Sequence, residues 1–104
     1  MSNADILEDV KIDEKIKLEI QEPSKYKVIF LNDDATPMEW VTGLLTEIFK
    51  HSQQTAEQIT LQIHNEGSGI VGLYTYEIAE QKANEATLLS REHGFPLVIK
   101  MEKE

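Results

Sequence analysis

The chain has 104 residues, a net charge of -9 and no cysteine. That length supports one small domain, and the acidity disfavours nucleic acid and anionic membrane surfaces, where clustered cations supply the affinity. The lack of cysteine excludes a disulfide framework and a thiolate metal site. No apolar run is long enough to span a bilayer. The N-terminus is acidic, unlike a secretory signal, so the expected location is the cytoplasm.

Residues 1–24 carry seven acids, three lysines and no aromatic residue, and Glu22-Pro23-Ser24 punctuates their end. They read as a flexible acidic extension, with residues 25–104 as the domain. Within the extension Val10, Ile12, Ile16, Leu18 and Ile20 alternate with charged neighbours. That is a strand period, so an added strand is the second reading of this segment.

Tyr26–Leu31 is β-branched and aromatic and predicts the first strand. Thr36-Pro37-Met38-Glu39 then reads as a helix start, with Thr36 as cap, Pro37 in the first turn and Glu39 completing a capping box. Met38, Val41, Leu44, Leu45, Ile48 and Phe49 share one face of that helix. Past the polar link at 51–54, Thr55-Ala56-Glu57-Gln58 reads as a second capping box. The helix behind it is expected to bury Ile59 and Ile63 and to stop at Gly67. Gly69–Tyr74 predicts a second strand. Thr75 is the expected cap of a third helix, Tyr76 to about His93, whose inner face is Ala79, Ala83 and Ala86 with Ile78 and Leu89. Gly94 stops it, and Pro96-Leu97-Val98-Ile99 opens the last strand. The order β-α-α-β-α-β predicts an α/β fold of the α+β sandwich kind, a three-stranded antiparallel sheet packed with three helices.

The stretch of most chemical interest is Asn32-Asp33-Asp34, where a strand ends and a helix begins. Asn and Asp there satisfy nearby backbone N–H groups and favour turns. They also place oxygen acceptors at the rim of an apolar core. His64, near the end of the second helix beside Ile63, supplies a further ring nitrogen, whereas His51 and His93 read as surface residues. One histidine with two adjacent aspartates is weak as a metal site. An Asp–His pair could act as a general base, but no nucleophile motif or phosphate loop accompanies it. No cofactor, metal or catalytic residue is therefore expected.

Tyr26-Lys27-Val28, the block Asn32-Asp33-Asp34-x-Thr36-Pro37-Met38-Glu39, and then His64, Gly67, Gly72, Thr75, Glu77, Ala79, Lys82 and Pro96-Leu97 resemble the ClpS family over residues 25–104. ClpS proteins are non-catalytic adaptors that deliver N-degron substrates to a Clp AAA+ unfoldase and its protease. The resemblance implies that Asn32, Asp34 and His64 hold a substrate's free α-amino group. It puts Asp33 and Thr36 at the pocket mouth, and Met38, Val41, Thr60, Ile63 and Leu97 around the side chain, with Met38 as a gate. It assigns Glu77 and Lys82 to docking on the N-terminal domain of a ClpA-like or ClpC-like unfoldase, and residues 1–24 to hand-over. The ligand it implies is a free N-terminal Leu, Phe, Tyr or Trp, bound by a monomeric adaptor.

That assignment makes chemical sense. An α-ammonium brings three N–H donors and a positive charge, which an amide oxygen, a carboxylate and a neutral imidazole nitrogen can meet. Burying a large apolar side chain adds about 1.5–3 kcal/mol. Three positions depart from the family pattern. Thr60 stands where many relatives have Met, Trp40 where Phe is usual, and Ala35 where a larger residue is common. A changed ranking among Leu, Phe, Tyr and Trp is expected from Thr60. The alternative is a ribosomal-stalk-like interaction domain, which would present a basic helical face. Here the third helix sets Lys82 and Arg91 against Glu77, Glu80, Glu85 and Glu92.

Overall fold

The computed structural model describes residues 23–104. The strand period read in residues 10–20, and residues 1–22 of the extension, lie outside them. The elements are β1 (Lys25–Leu31), α1 (Met38–Glu47), α2 (Gln53–Glu66), β2 (Ser68–Thr75), α3 (Tyr76–Glu92) and β3 (Val98–Lys103). All pairing is antiparallel and the strand order is β2-β1-β3. The α+β sandwich and the β-α-α-β-α-β order are as the sequence predicts.

Alternation along β1 sets the layers. Val28 and Phe30 are fully buried, while Lys27, Ile29 and Leu31 on the opposite face keep partial exposure. The helices cover the buried face, where Val41, Leu44, Leu45, Ile48, Ala56, Ile63, Val71, Ala79, Ala83, Ala86 and Leu97 complete the core. The β1–β2 register shifts between Val28 and Ile29, so that Val71 has no partner on β1. His51 Nε2 lies 2.6 Å from the Val71 carbonyl oxygen. A carbonyl only accepts, so Nε2 carries the proton. His51 is thus no plain surface residue: it answers the bulge.

Several helix ends differ from the sequence reading. Pro37, not Thr36, is the cap of α1, and no side chain caps it. The Thr36 hydroxyl is engaged elsewhere, donating to Asp33 Oδ2. Helix α2 begins before Thr55, because Ser52 is the cap and its side chain accepts from the Thr55 N–H at 3.2 Å. A serine three residues earlier serves the same donors, so the second capping box does not form. Thr75 occupies the cap position of α3 without a side-chain bond. Ile78 points to solvent at 45% exposure, and Ser90 takes the inner position that closes the row of alanines. Ile59 is only partly buried, and Thr60 joins Ile63 inside. Strand β3 starts at Val98 rather than Pro96.

Two glycines set the approach of α2 to the sheet. Gly67 ends α2 at φ 90°, a left-handed conformation that costs glycine nothing. A Cβ on Gly69 would sit 2.8 Å from Ile63 Cγ1, so its absence lets α2 close on β2.

Candidate binding site

The segment between β1 and α1 is held by one carboxylate. Asp33 Oδ1 accepts from the Ala35 N–H at 2.8 Å and the Thr36 N–H at 2.7 Å, and Oδ2 accepts from the Thr36 hydroxyl at 2.8 Å. Three bonds to one side chain make a rigid turn. Asp33 and Thr36, expected at a pocket mouth, are thereby committed to the shape of the turn. The Asn32 N–H donates to the Gly67 carbonyl at 2.9 Å, which ties the turn to the end of α2. His64 lies on the last turn of that helix.

Asn32, Asp34 and His64 are all exposed, and no side-chain hydrogen bond among the described residues engages them. Their donors and acceptors are free for a ligand. No three histidine or carboxylate side chains among the described residues converge on a possible metal position.

Beside the turn, α1 and α2 leave a groove of about 570 Å³ lined by Met38, Glu39, Thr42, Gly43, Gln53, Glu57, Thr60 and Leu61. Met38 is 42% exposed at its edge and Thr60 is buried in its wall. Of the seven residues expected to line a pocket, these two border the open groove. Val41, Ile63 and Leu97 belong to the core beneath, and Asp33 and Thr36 to the turn. Sequence reading missed Thr42. Its hydroxyl meets that of Thr60 at 2.8 Å across the two helices. The helical spacing of Met38 and Thr42 was the available signal, and a lone threonine on an apolar face did not draw it out.

The two docking candidates on α3 are placed differently. Glu77 is exposed in the first turn. Lys82 is half-buried. Its ammonium donates to the Ile48 carbonyl at 2.7 Å and lies 5.9 Å from the Phe49 ring and 5.4 Å from the Tyr74 ring. A cation there offsets the negative end of α1 and gains from the aromatic faces.

Comparison with known proteins agrees with this architecture. Residues 21–100 match the family model described as ATP-dependent Clp protease adaptor protein ClpS. The chain belongs to the ClpS family. It is an adaptor of the Clp protease and not an enzyme. Among its relatives, the ClpS of Helicobacter hepaticus is 44% identical over 80 residues, which are 77% of this chain and 81% of that protein. The ClpS of Burkholderia mallei is 42% identical over 96 residues, 92% of each. A solved structure of ClpS2 from Agrobacterium tumefaciens, bound to L-phenylalaninamide, superposes with a TM-score of 0.77. It shares 44% identity and covers 80% of this chain and 100% of that one. No described helix is long and apolar enough to cross a membrane.

Proposed function

We propose that this adaptor binds proteins through a free N-terminal bulky hydrophobic residue (Leu, Phe, Tyr or Trp) and delivers them to a ClpA-like or ClpC-like AAA+ unfoldase. The observation that carries the reading is the ligand of the A. tumefaciens relative. Phenylalaninamide offers an α-ammonium, a benzyl side chain and an amide in place of the first peptide unit. In this chain the exposed Asn32, Asp34 and His64 stand ready for the ammonium. Asp33 and Thr36 hold the turn that presents them.

The side chain enters between α1 and α2, past Met38. That residue can swing as a gate, because its thioether is flexible and half in solvent. Thr60, Val41, Ile63 and Leu97 form the wall and its apolar backing. Residues 25–104 act as the adaptor core, and residues 1–24 engage the unfoldase during hand-over. Glu77 and the surface around Lys82 dock on the unfoldase's N-terminal domain. The adaptor acts as a monomer in the cytoplasm, where an unfoldase meets its substrates.

The test is a titration of peptides that begin with Leu or Phe, each with a free and an N-acetylated terminus. The free forms bind and the acetylated forms do not. Equal binding of the two would remove the α-ammonium from the recognition and the reading with it.

A further inference from the structure

We propose that the Thr42–Thr60 hydroxyl pair makes this groove prefer N-terminal residues that carry a hydrogen-bond donor on an aromatic ring, tyrosine and tryptophan, over phenylalanine and leucine. The inference rests on the reading of the groove as the pocket for an N-terminal side chain, and names the substrates that this pocket favours.

The two hydroxyls take part in three close contacts. Thr42 Oγ1 has the Met38 carbonyl at 3.0 Å, Thr60 Oγ1 has the Ala56 carbonyl at 2.8 Å, and the two hydroxyl oxygens are 2.8 Å apart, so either hydroxyl can donate to its carbonyl or to the other. Two protons cannot serve three such contacts at once. Each proton has an acceptor within the protein and needs none from a ligand. Each hydroxyl oxygen has two lone pairs and the mutual bond uses one of them, so the pair keeps acceptor capacity facing the groove. The wall is therefore an acceptor without a donor. A phenol or an indole N–H can pair with it, and a phenyl ring or an isobutyl group cannot. Each hydroxyl proton already has an acceptor in the protein, so an apolar side chain meets no penalty large enough to exclude it.

The position of the pair fits the length of such a side chain. His64 and Thr60 are four residues apart on α2 and so lie on one face, separated by about 6 Å of helix rise. That rise is close to the span of a tyrosine from its α-carbon to its hydroxyl. Met38 and Thr42 repeat the same spacing on α1. An α-ammonium held by Asn32, Asp34 and His64 thus leaves the ring running along the seam towards Thr42 and Thr60. Beyond the pair the groove continues past Gly43, where an added Cβ would meet nothing within 4 Å, so the larger indole has room.

The experiment compares affinities of peptides identical except for an N-terminal Tyr, Trp, Phe, Leu or 4-fluorophenylalanine, for the full chain and for Thr60→Val and Thr42→Val. In the full chain Tyr binds about fivefold tighter than Phe, the size of one net hydrogen bond. The fluorinated residue, which fills the para position without a donor, binds like Phe. Either valine variant keeps the shape of the side chain and brings the Tyr-to-Phe ratio to one or below; that ratio within each variant is the readout, whatever the absolute affinity, and circular dichroism reports that the variant is folded. Thr42 is the less buried partner, and its variant decides if Thr60→Val loses the Phe peptide as well. A ratio unchanged in Thr42→Val, or a fluorinated peptide that binds like Tyr, would overturn the inference, because the rim carboxylates of Glu39 and Glu57 or simple room would then explain the preference. Loss of discrimination between free and acetylated termini would instead overturn the underlying reading, and this inference with it.

Discussion

Helix α3 lies on the sheet through Ala79, Ala83 and Ala86, with exposures of 0%, 6% and 0%. Helices α1 and α2 meet through Thr42 and Thr60 and leave a groove of about 570 Å³ between them. The first seam is closed by side chains too small to hold the surfaces apart. The second is kept by a polar tie that fixes the helices without filling the space between them. Interiors packed at crystal density tolerate little change of volume, so the closed seam serves as scaffold. The open seam can accept a guest because its walls are already satisfied without one. Ser90 and Trp40 mark the join between the two. The indole N–H donates to Ser90 Oγ at 2.9 Å, and Ser90 donates to the Ala86 carbonyl at 2.7 Å, which holds α1 against the closed side.

The largest expected effect tests the closed seam. Ala79→Leu places three extra carbons where no space exists, and overpacking of this kind costs about 1–3 kcal/mol. Denaturant unfolding should show the loss as a lower midpoint. A stability within error of the parent would mean that α3 can lift from the sheet, and the contrast between the seams would fail.

Next comes Asp34→Ala, which tests the ammonium site proposed beside the open seam. Asp34 is exposed and makes no bond that holds the turn, unlike Asp33. Stability should therefore be unchanged, while the affinity for a free N-terminal Phe peptide should fall by about 2 kcal/mol, the value of a hydrogen bond to a charged group. Asp33→Ala should reverse this pattern and cost stability first. If both variants behave alike, the division between brace and ligand holder is wrong.

Smaller again is Gly43→Ala. A methyl group there meets nothing within 4 Å, and alanine is better than glycine in a helix by about 1 kcal/mol. The variant should be more stable than the parent by about that amount. The same methyl enters the groove, so the peptide with the largest side chain, N-terminal Trp, should lose affinity relative to Leu. A destabilised Gly43→Ala would show that the seam is closed in solution.

Much of this was legible in the sequence, because it rests on short-range rules. The strand alternation of Val28 and Phe30, the alanine spacing of α3 and the glycine at 67 each act within a few residues. The helix starts were less legible because two groups competed for the same donors. Thr36 looks like a cap, but the Asp33 carboxylate three residues earlier takes its hydroxyl. Thr55 looks like a cap, but Ser52 takes its N–H. Lys50, at φ 60°, ends α1 in the conformation usually left to glycine, and the His51 N–H reaches back to the Leu45 carbonyl at 3.0 Å. No residue type announces that. Of the proposed site, the residue types of the Asn32–Asp34 turn drew attention by themselves, while the roles of Asn32, Asp34, His64 and Met38 came from the resemblance to the ClpS family. The Thr42–Thr60 pair could not be named from the sequence, since it forms only when two helices cross.

The smallest expected effect lies on the closed side and appears at high pH. Burial raises the Tyr74 hydroxyl above its ordinary value of 10.0, because the phenolate would lose hydration there. The hydrogen bond to Glu80, and then that carboxylate's charge, raise Tyr76 as well. In both cases the folded chain holds the proton more tightly than the unfolded chain does. The stabilisation is fully present below pH 10.0 and is lost as pH rises through the higher folded values. Unfolding midpoints should thus decline above pH 10, and Tyr74→Phe should flatten part of that decline. Lys82 lies over the Tyr74 ring, and removing the hydroxyl leaves that cation–aromatic contact in place. Tyr74→Phe should therefore be close to neutral at pH 7 and should differ from the parent only in the alkaline limb. An identical alkaline limb in the two proteins would show that Tyr74 is hydrated in the folded state, and that the closed seam does not extend to the end of β2.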